Sequence, residues 1–335
     1  KKLTDKAPDL LGLKSEGAVE VKYAKYFKIF KYEQGITLVC IDQSTGTALK
    51  KAEKDAKASE GKADTSAESQ KPTAIADKAL EASKPTQVEE ADAANATQEE
   101  MEEAAEADAN AEASANEEKI EYDEEGKPIA KTDSERTNDL YKNDVVNYLI
   151  VPKGVELPAG LEKDCVILEK PVKDVYVASP EVVSVMADLS QVKSIGTIGM
   201  SAEDVTADGV AKAVAKDKIK VDANYENPDF RQIIQQKTGL VILPAQALPE
   251  KVTKKSSEEE KALSEEQEEI LQRLQTRYSA LNIPMMVDRS AHEKSTYAKA
   301  EWTKVYGAIF GEEKAADAAV DKYVKEHKNE KIGGK

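Results

Sequence analysis

The chain of 335 residues is short of the residue types that build dedicated chemical centres. It has two cysteines, Cys40 and Cys165, too few for a disulfide framework or a four-thiolate zinc site. Its two histidines, His292 and His327, nearly exclude a His-rich metal centre. There is one tryptophan, and aromatics make up 5% of the chain. No apolar run approaches the ~20 residues that span a bilayer. The chain starts at Lys1 with no short apolar stretch behind it, so the expectation is that any signal segment is already gone. A basic face is missing too, which argues against nucleic acid as a partner. No GxSxG, Walker or dinucleotide glycine loop, or HExxH occurs.

Acid is what the chain has in excess, with a formal net charge of −16. Residues 51–140 hold 26 Asp and Glu against 11 Lys and Arg, a balance of −15 that leaves about −1 for everything else. The region 46–140 is low in complexity. It has no aromatic residue from Lys51 to Lys119 and few large aliphatics. Such a segment buries too little apolar area to offset ~1–2 kcal/mol of backbone ordering per residue. We expect a disordered insert, either a solvated linker or a recognition arm.

The flanks of the insert have strand character. Residues 26–32 (YFKIFKY), 36–42 (ITLVCID), 145–151 (VVNYLIV) and 165–168 read as a small antiparallel sheet. The insert then enlarges the hairpin loop between Asp42 and Val145, at an entropic cost that grows only logarithmically with length. Cys40 and Cys165 fall on two of these strands, as buried free thiols or as one cross-strand disulfide.

After Val172 the pattern alternates between strand and helix. Strands are expected at residues 175–179 (VYVAS), 195–199, 240–243 (LVIL) and 285–288 (MMVD). Helices are expected after Pro180, after Ser201, over 229–236, over 257–281 and over 299–328. This alternation implies right-handed crossovers and an α/β lobe with a mostly parallel, Rossmann-like sheet and flanking helices. The expected divisions are 1–45 with 141–170 as the antiparallel β region, 46–140 as the insert, 171–298 as the lobe, and 299–328 as one long connecting helix.

Ligands of open α/β sheets bind beyond the carboxyl ends of the strands. Those ends carry Ser179, Gln246 and the polar loop Asp288-Arg289-Ser290-Ala291-His292-Glu293. Arg289 offers a planar donor fork for a carboxylate or phosphate; alternatively it pairs locally with Glu293 and His292 stays solvated. Asp288, Ser290 and His292 supply the residue types of a hydrolytic site, but nearness in sequence is not a triad.

Taken in order, residues 23–42, 148–158, 175–199, 223–243 and 281–319 resemble the substrate-binding proteins of iron-complex and cobalamin-type ABC importers. The resemblance implies an extracytoplasmic lipoprotein of a Gram-positive-type cell surface. Such a protein is monomeric, has no enzymatic role and holds no covalent cofactor. It captures a ferric or corrinoid chelate between two α/β lobes joined by a long helix, and delivers it to an ABC permease. In this chain the ligand wall would comprise Arg289, Ser290, Ser179, Gln246 and His292. The Glu-Trp pair that opens the family's connecting helix is Glu301-Trp302 here. The matching glutamate docks on permease arginines in the family, so Glu301 is either a docking residue or a first-turn glutamate favoured by the helix dipole. Four features depart from the pattern: the acidic insert, Pro244-Ala245-Gln246-Ala247 where a Glu-Ser-Thr type segment is usual, Ala298-Lys299-Ala300-Glu301-Trp302 where Gly-Arg-x-Glu-Trp usually opens the connecting helix, and a chain that stops where the second lobe would begin. Rival readings are an α/β hydrolase or transferase using loop 288–293, and an interaction module built around the insert.

Overall fold

The structure, a computed structural model, describes residues 2–44 and 133–328. The acidic segment 45–132, and with it most of the expected disordered insert of residues 46–140, lies outside the described residues. Two five-stranded sheets organise what is described.

The first sheet holds β1 (Ser15–Ala18), β2 (Phe27–Tyr32), β3 (Thr37–Asp42), β4 (Val145–Pro152) and β5 (Val166–Lys170), side by side in that order. The first three pairings are antiparallel, and β5 lies parallel to β4. Asp42 pairs with Val145, so the two residues expected to bound the insert do face each other across the ladder. The described chain resumes before β4. Helix α1 (Asp133–Tyr141) lies inside the stretch assigned to the insert and buries Leu140 and Tyr141. The Met285 amide donates to the Tyr141 hydroxyl at 2.7 Å. Polar composition hid this helix, because only its last two residues are apolar.

Apart from the exposed edge strand β1, the first sheet is buried on both faces. Phe27, Ile29, Val39, Ile41, Val146, Tyr148 and Ile150 point into the main core. Phe30, Tyr32, Leu38, Cys40, Val145, Leu149 and Val151 enclose a smaller one with Cys165. This is the two-residue period of a strand, with apolar residues at both phases. Both cysteines are buried, and no disulfide joins them.

The second sheet is wholly parallel: β6 (Val175–Val177), β7 (Ile195–Ile198), β8 (Lys220–Val221), β9 (Leu240–Leu243) and β10 (Met285–Val287). The spatial order is β8-β7-β6-β9-β10. The chain winds outward from β6 to one edge, then crosses back to β9 and winds to the other. The crossing leaves a switch point between β6 and β9, where successive loops diverge.

Helices α2 (Pro180–Asp188), α3 (Asp208–Ala215), α4 (Phe230–Gln235) and α5 (Glu258–Ala280) connect these strands. Their starts follow ordinary capping chemistry. Ser179 and Asp229 accept from backbone amides of α2 and α4, and Ser257 with Glu260 forms a reciprocal capping box on α5. The helix expected after Ser201 is only a single turn, and α3 begins at Asp208 with no side-chain cap.

The C-terminal helical segment divides into α6 (Thr296–Glu301), α7 (Thr303–Phe310) and α8 (Glu313–Glu326). Trp302 keeps helical dihedrals between the first two, so they run nearly on from each other. The break comes at Gly311, whose φ of 75° ends α7 in the left-handed region. Beyond it α8 folds back closely: a Cβ on Gly307 would lie 2.5 Å from that of Ala316. The expected single rod is therefore a helical hairpin.

Candidate functional site

The tips of β6, β9 and β10 carry the polar loops. Asp288 continues the β9–β10 ladder, its amide donating to the Leu243 carbonyl at 2.9 Å. Its carboxylate is 1% exposed and surrounded by donors. The Ser290 hydroxyl donates at 2.6 Å and the Tyr306 hydroxyl of α7 at 2.9 Å, while the single hydrogen of the Ser179 hydroxyl has Glu181 Oε2 at 3.0 Å and Asp288 at 3.3 Å as its two acceptors. The Ser290 amide lies 3.4 Å away. Burial still dominates: it raises the Asp288 carboxyl to about 6, against the lowering effect of these donors. Tyr306 is pushed well above its ordinary value by burial and by Asp288. Ser179 and Ser290 are thus spent within the fold, tying the β6 and β10 tips to α7.

Arg289 is 4% exposed. Its guanidinium lies over the Tyr26 ring, 3.8 Å from the centroid. Its Nη1 donates to the Asp42 carbonyl at 2.5 Å and stands 3.8 Å from the Asp42 carboxylate. Its Nε donates to His292 Nδ1 at 3.3 Å. The fork expected to meet an anion therefore bridges the second sheet to the end of β3.

Glu293 and Glu301 complete the bridge. Glu301, 1% exposed, accepts from the backbone amides of Lys22, Tyr23 and Ala24 at 2.7, 2.7 and 2.8 Å. Glu293 accepts from the amides of Lys25 and Tyr26 at 2.8 and 3.2 Å, and from Trp302 Nε1 at 3.2 Å. Five consecutive backbone N–H groups thus end on two buried carboxylates. Glu301, expected to face a permease, is turned inward, and reaching a partner would require all three of its hydrogen bonds to break.

Two of the expected wall residues do face solvent, Gln246 after β9 and His292 after β10. Glu181, after β6, and Glu250 are exposed as well. Burial, then the Arg289 charge, lowers the His292 pKa, with Glu250 opposing weakly. Tyr26 and Tyr306 were not singled out in the sequence, and Glu293 was read only as a local partner of Arg289. An aromatic inside the YFKIFKY strand and a glutamate in a polar loop carry no local signal of pairing across more than 260 residues. Among the described residues no group of three or more His, Cys, Asp or Glu could hold a metal ion, and no helix is long and apolar enough to cross a membrane.

No protein-family model matches the chain, and no curated protein matches it. Among solved structures it is similar to a periplasmic binding protein from Veillonella parvula dsm 2008, at 15% identity and a TM-score of 0.28. The match covers 48% of this chain and 45% of that one, so the chain spans under half the length of that protein.

Proposed function

We propose that the chain is a solute-binding lobe. It would receive a cargo at the tips of its parallel sheet and leave it chemically unchanged. The observation that carries this reading is the way Asp288 is satisfied. Hydrolysis or group transfer needs a base within reach of an open nucleophile. Here Asp288 holds the buried Ser290 and Tyr306 hydroxyls, the Ser179 hydroxyl is shared between Asp288 and Glu181, and His292 hydrogen-bonds to Arg289 instead and stands at the surface. What faces outward is a mixed wall of Gln246, His292 and Glu181, suited to contact and not to bond-making.

The sequence resemblance narrows the cargo to a metal chelate: an iron–siderophore complex, haem or a corrinoid. It also supplies the remaining parts of the proposal, an extracytoplasmic lipoprotein that passes this cargo to an ABC permease. Contact with the permease is proposed for the exposed surface around α6. There Glu301 sets the Lys22–Tyr23–Ala24 backbone from beneath and does not reach out itself.

Calorimetric titration of the full chain with ferric siderophores, haem and cobalamin tests the reading. Saturable heat with one class, at micromolar or tighter affinity and weakened at least fivefold by Gln246→Ala with His292→Ala, is expected. Heat from none of the panel would overturn it.

A further inference from the structure

The exposed histidine of the rim has one ring nitrogen already committed. Arg289 Nε carries a hydrogen and can only donate, so His292 Nδ1, 3.3 Å away, must accept through its lone pair. Which imidazole nitrogen carries the proton is set by the bond the other makes. A neutral His292 therefore bears its hydrogen on Nε2. That nitrogen has no protein partner among the described residues, and the residue is exposed beyond the tip of β10.

Arg289 cannot readily turn away from this bond. It is buried, stacked on Tyr26, and fixed by the Asp42 carbonyl on the side away from His292. Nor does a second proton on the ring fit, because it would set an imidazolium N–H against a guanidinium N–H. The charged groups facing this pair are few. Asp42 and Glu293 act on Arg289, and Glu250 acts on His292 from the β9 side. The downward shift of the His292 pKa, caused by burial and Arg289, agrees with this geometry.

We infer that His292 is a fixed hydrogen-bond donor at the rim, set by Arg289 as its positioning residue, and that it selects a cargo presenting acceptor oxygens over a bare metal ion. A metal needs an outward lone pair, and in this tautomer Nε2 offers a hydrogen. Carboxylate, hydroxamate, phenolate and phosphate oxygens all accept such a hydrogen. The inference rests on the reading of the strand tips as the cargo wall. It names the chemistry that the wall meets first.

The test is long-range ¹H–¹⁵N spectroscopy of the two histidine rings in the full chain, with His327→Gln giving the assignment. Expected is a neutral Nε2–H ring at His292 from about pH 6.5 to 8, near and above the ordinary histidine value. Arg289→Gln should mix the tautomers and raise the titration midpoint. Zinc chloride should leave the His292 signals unmoved. A chelate from the calorimetric panel that binds should shift the Nε2–H resonance, and His292→Phe should weaken it about tenfold, the worth of one hydrogen bond to a charged acceptor. An Nδ1–H ring in the native chain, or zinc coordination at His292, would overturn the inference whether or not any chelate binds. A chelate that binds with saturable heat but leaves Nε2–H unmoved would overturn it while the receptor reading stands.

Discussion

The two sheets use their polar loops in opposite ways. The first sheet contributes backbone: five amides from Lys22 to Tyr26 and the Asp42 carbonyl are offered to partners from the second half of the chain. The parallel sheet contributes side chains: Glu293, Glu301 and Arg289 reach out from its last loop and the helix that follows to meet them. Polarity in a strand-tip loop is thus no guide to ligand contact. In loop 288–293 the charged residues are buried and only the histidine is open. The fold joins its two sheets with the residue types that would otherwise advertise a site.

This contrast can be broken first at Glu301. Glu301→Ala takes the acceptor from three backbone amides, the buried one of Ala24 and the half-buried ones of Lys22 and Tyr23. Charge-assisted bonds and orphaned donors of this kind cost about 3 kcal/mol or more together. For a folded body of this size that lowers the melting temperature by about 6–12 °C, readable by calorimetric scanning. Glu301→Gln, which keeps one acceptor oxygen, should fall between. A melting temperature within a degree or two of the parent would mean that the two sheets are held by apolar packing alone.

Asp288 gives the next largest effect, and one with a pH signature. Its carboxyl titrates at about 6 in the fold against 3.8 as the ordinary value. The folded state therefore keeps the proton longer than the unfolded chain does. Asp288 costs nothing below about pH 4, and stability is lost as pH rises toward about 6, by an amount on the order of 3 kcal/mol. Asp288→Asn has no such titration. Urea unfolding of both proteins at pH 4.5 and 7.5 should show the variant gaining on the parent by about 2 kcal/mol at the higher pH, since about a third of the loss has already occurred at pH 4.5. A constant gap would mean that the serine and tyrosine donors outweigh burial.

Much of the architecture is legible in the residues because apolar period and punctuation decide it. LVIL becomes β9, Pro180 opens α2 behind its Ser179 cap, and Asp42 faces Val145 as the interrupted hairpin requires. The helical hairpin at the C-terminus was legible in principle, since Phe310-Gly311 is a helix stop signal inside an otherwise continuous stripe. The site was legible only in part. Gln246 and His292 stand where strand-tip logic places a wall. The burial of Arg289 and Glu301 depends on partners about 250 or more residues away, and Ser179 meets Asp288 across 109 residues. No local pattern encodes a distance of that kind.

Smaller effects sharpen the comparison within each sheet. In the parallel sheet the Tyr176 hydroxyl donates to Asp222 at 3.2 Å across the end of β7. The ring passes there because residue 199 has no side chain: a Cβ would come within 2.3 Å of it. Gly199→Ala should cost about 1–3 kcal/mol by overpacking, whereas Tyr176→Phe, which only loses the hydrogen bond, should cost about 1 kcal/mol. Equal effects would place the strain elsewhere. In the first sheet, burial lifts the Cys40 thiol to about 12. A thiol-specific reagent at about pH 8 should leave Cys40 unmodified until denaturant is added, and rapid labelling of the native chain would show that the smaller core opens.

The smallest expected effect on stability is the one that bears most on function. Gln246 and His292 are exposed, and neither carries any bond between the sheets. Surface changes of this sort alter stability by no more than about 0.5 kcal/mol. Gln246→Ala should therefore unfold in urea at the parent's midpoint, whereas Glu301→Ala should not. If Gln246→Ala also weakens chelate binding and Glu301→Gln does not, recognition and cohesion occupy separate residues of the same strand tips. A Gln246→Ala variant that lost stability instead would place this residue among the residues that hold the fold together and leave the wall to His292 and Glu181.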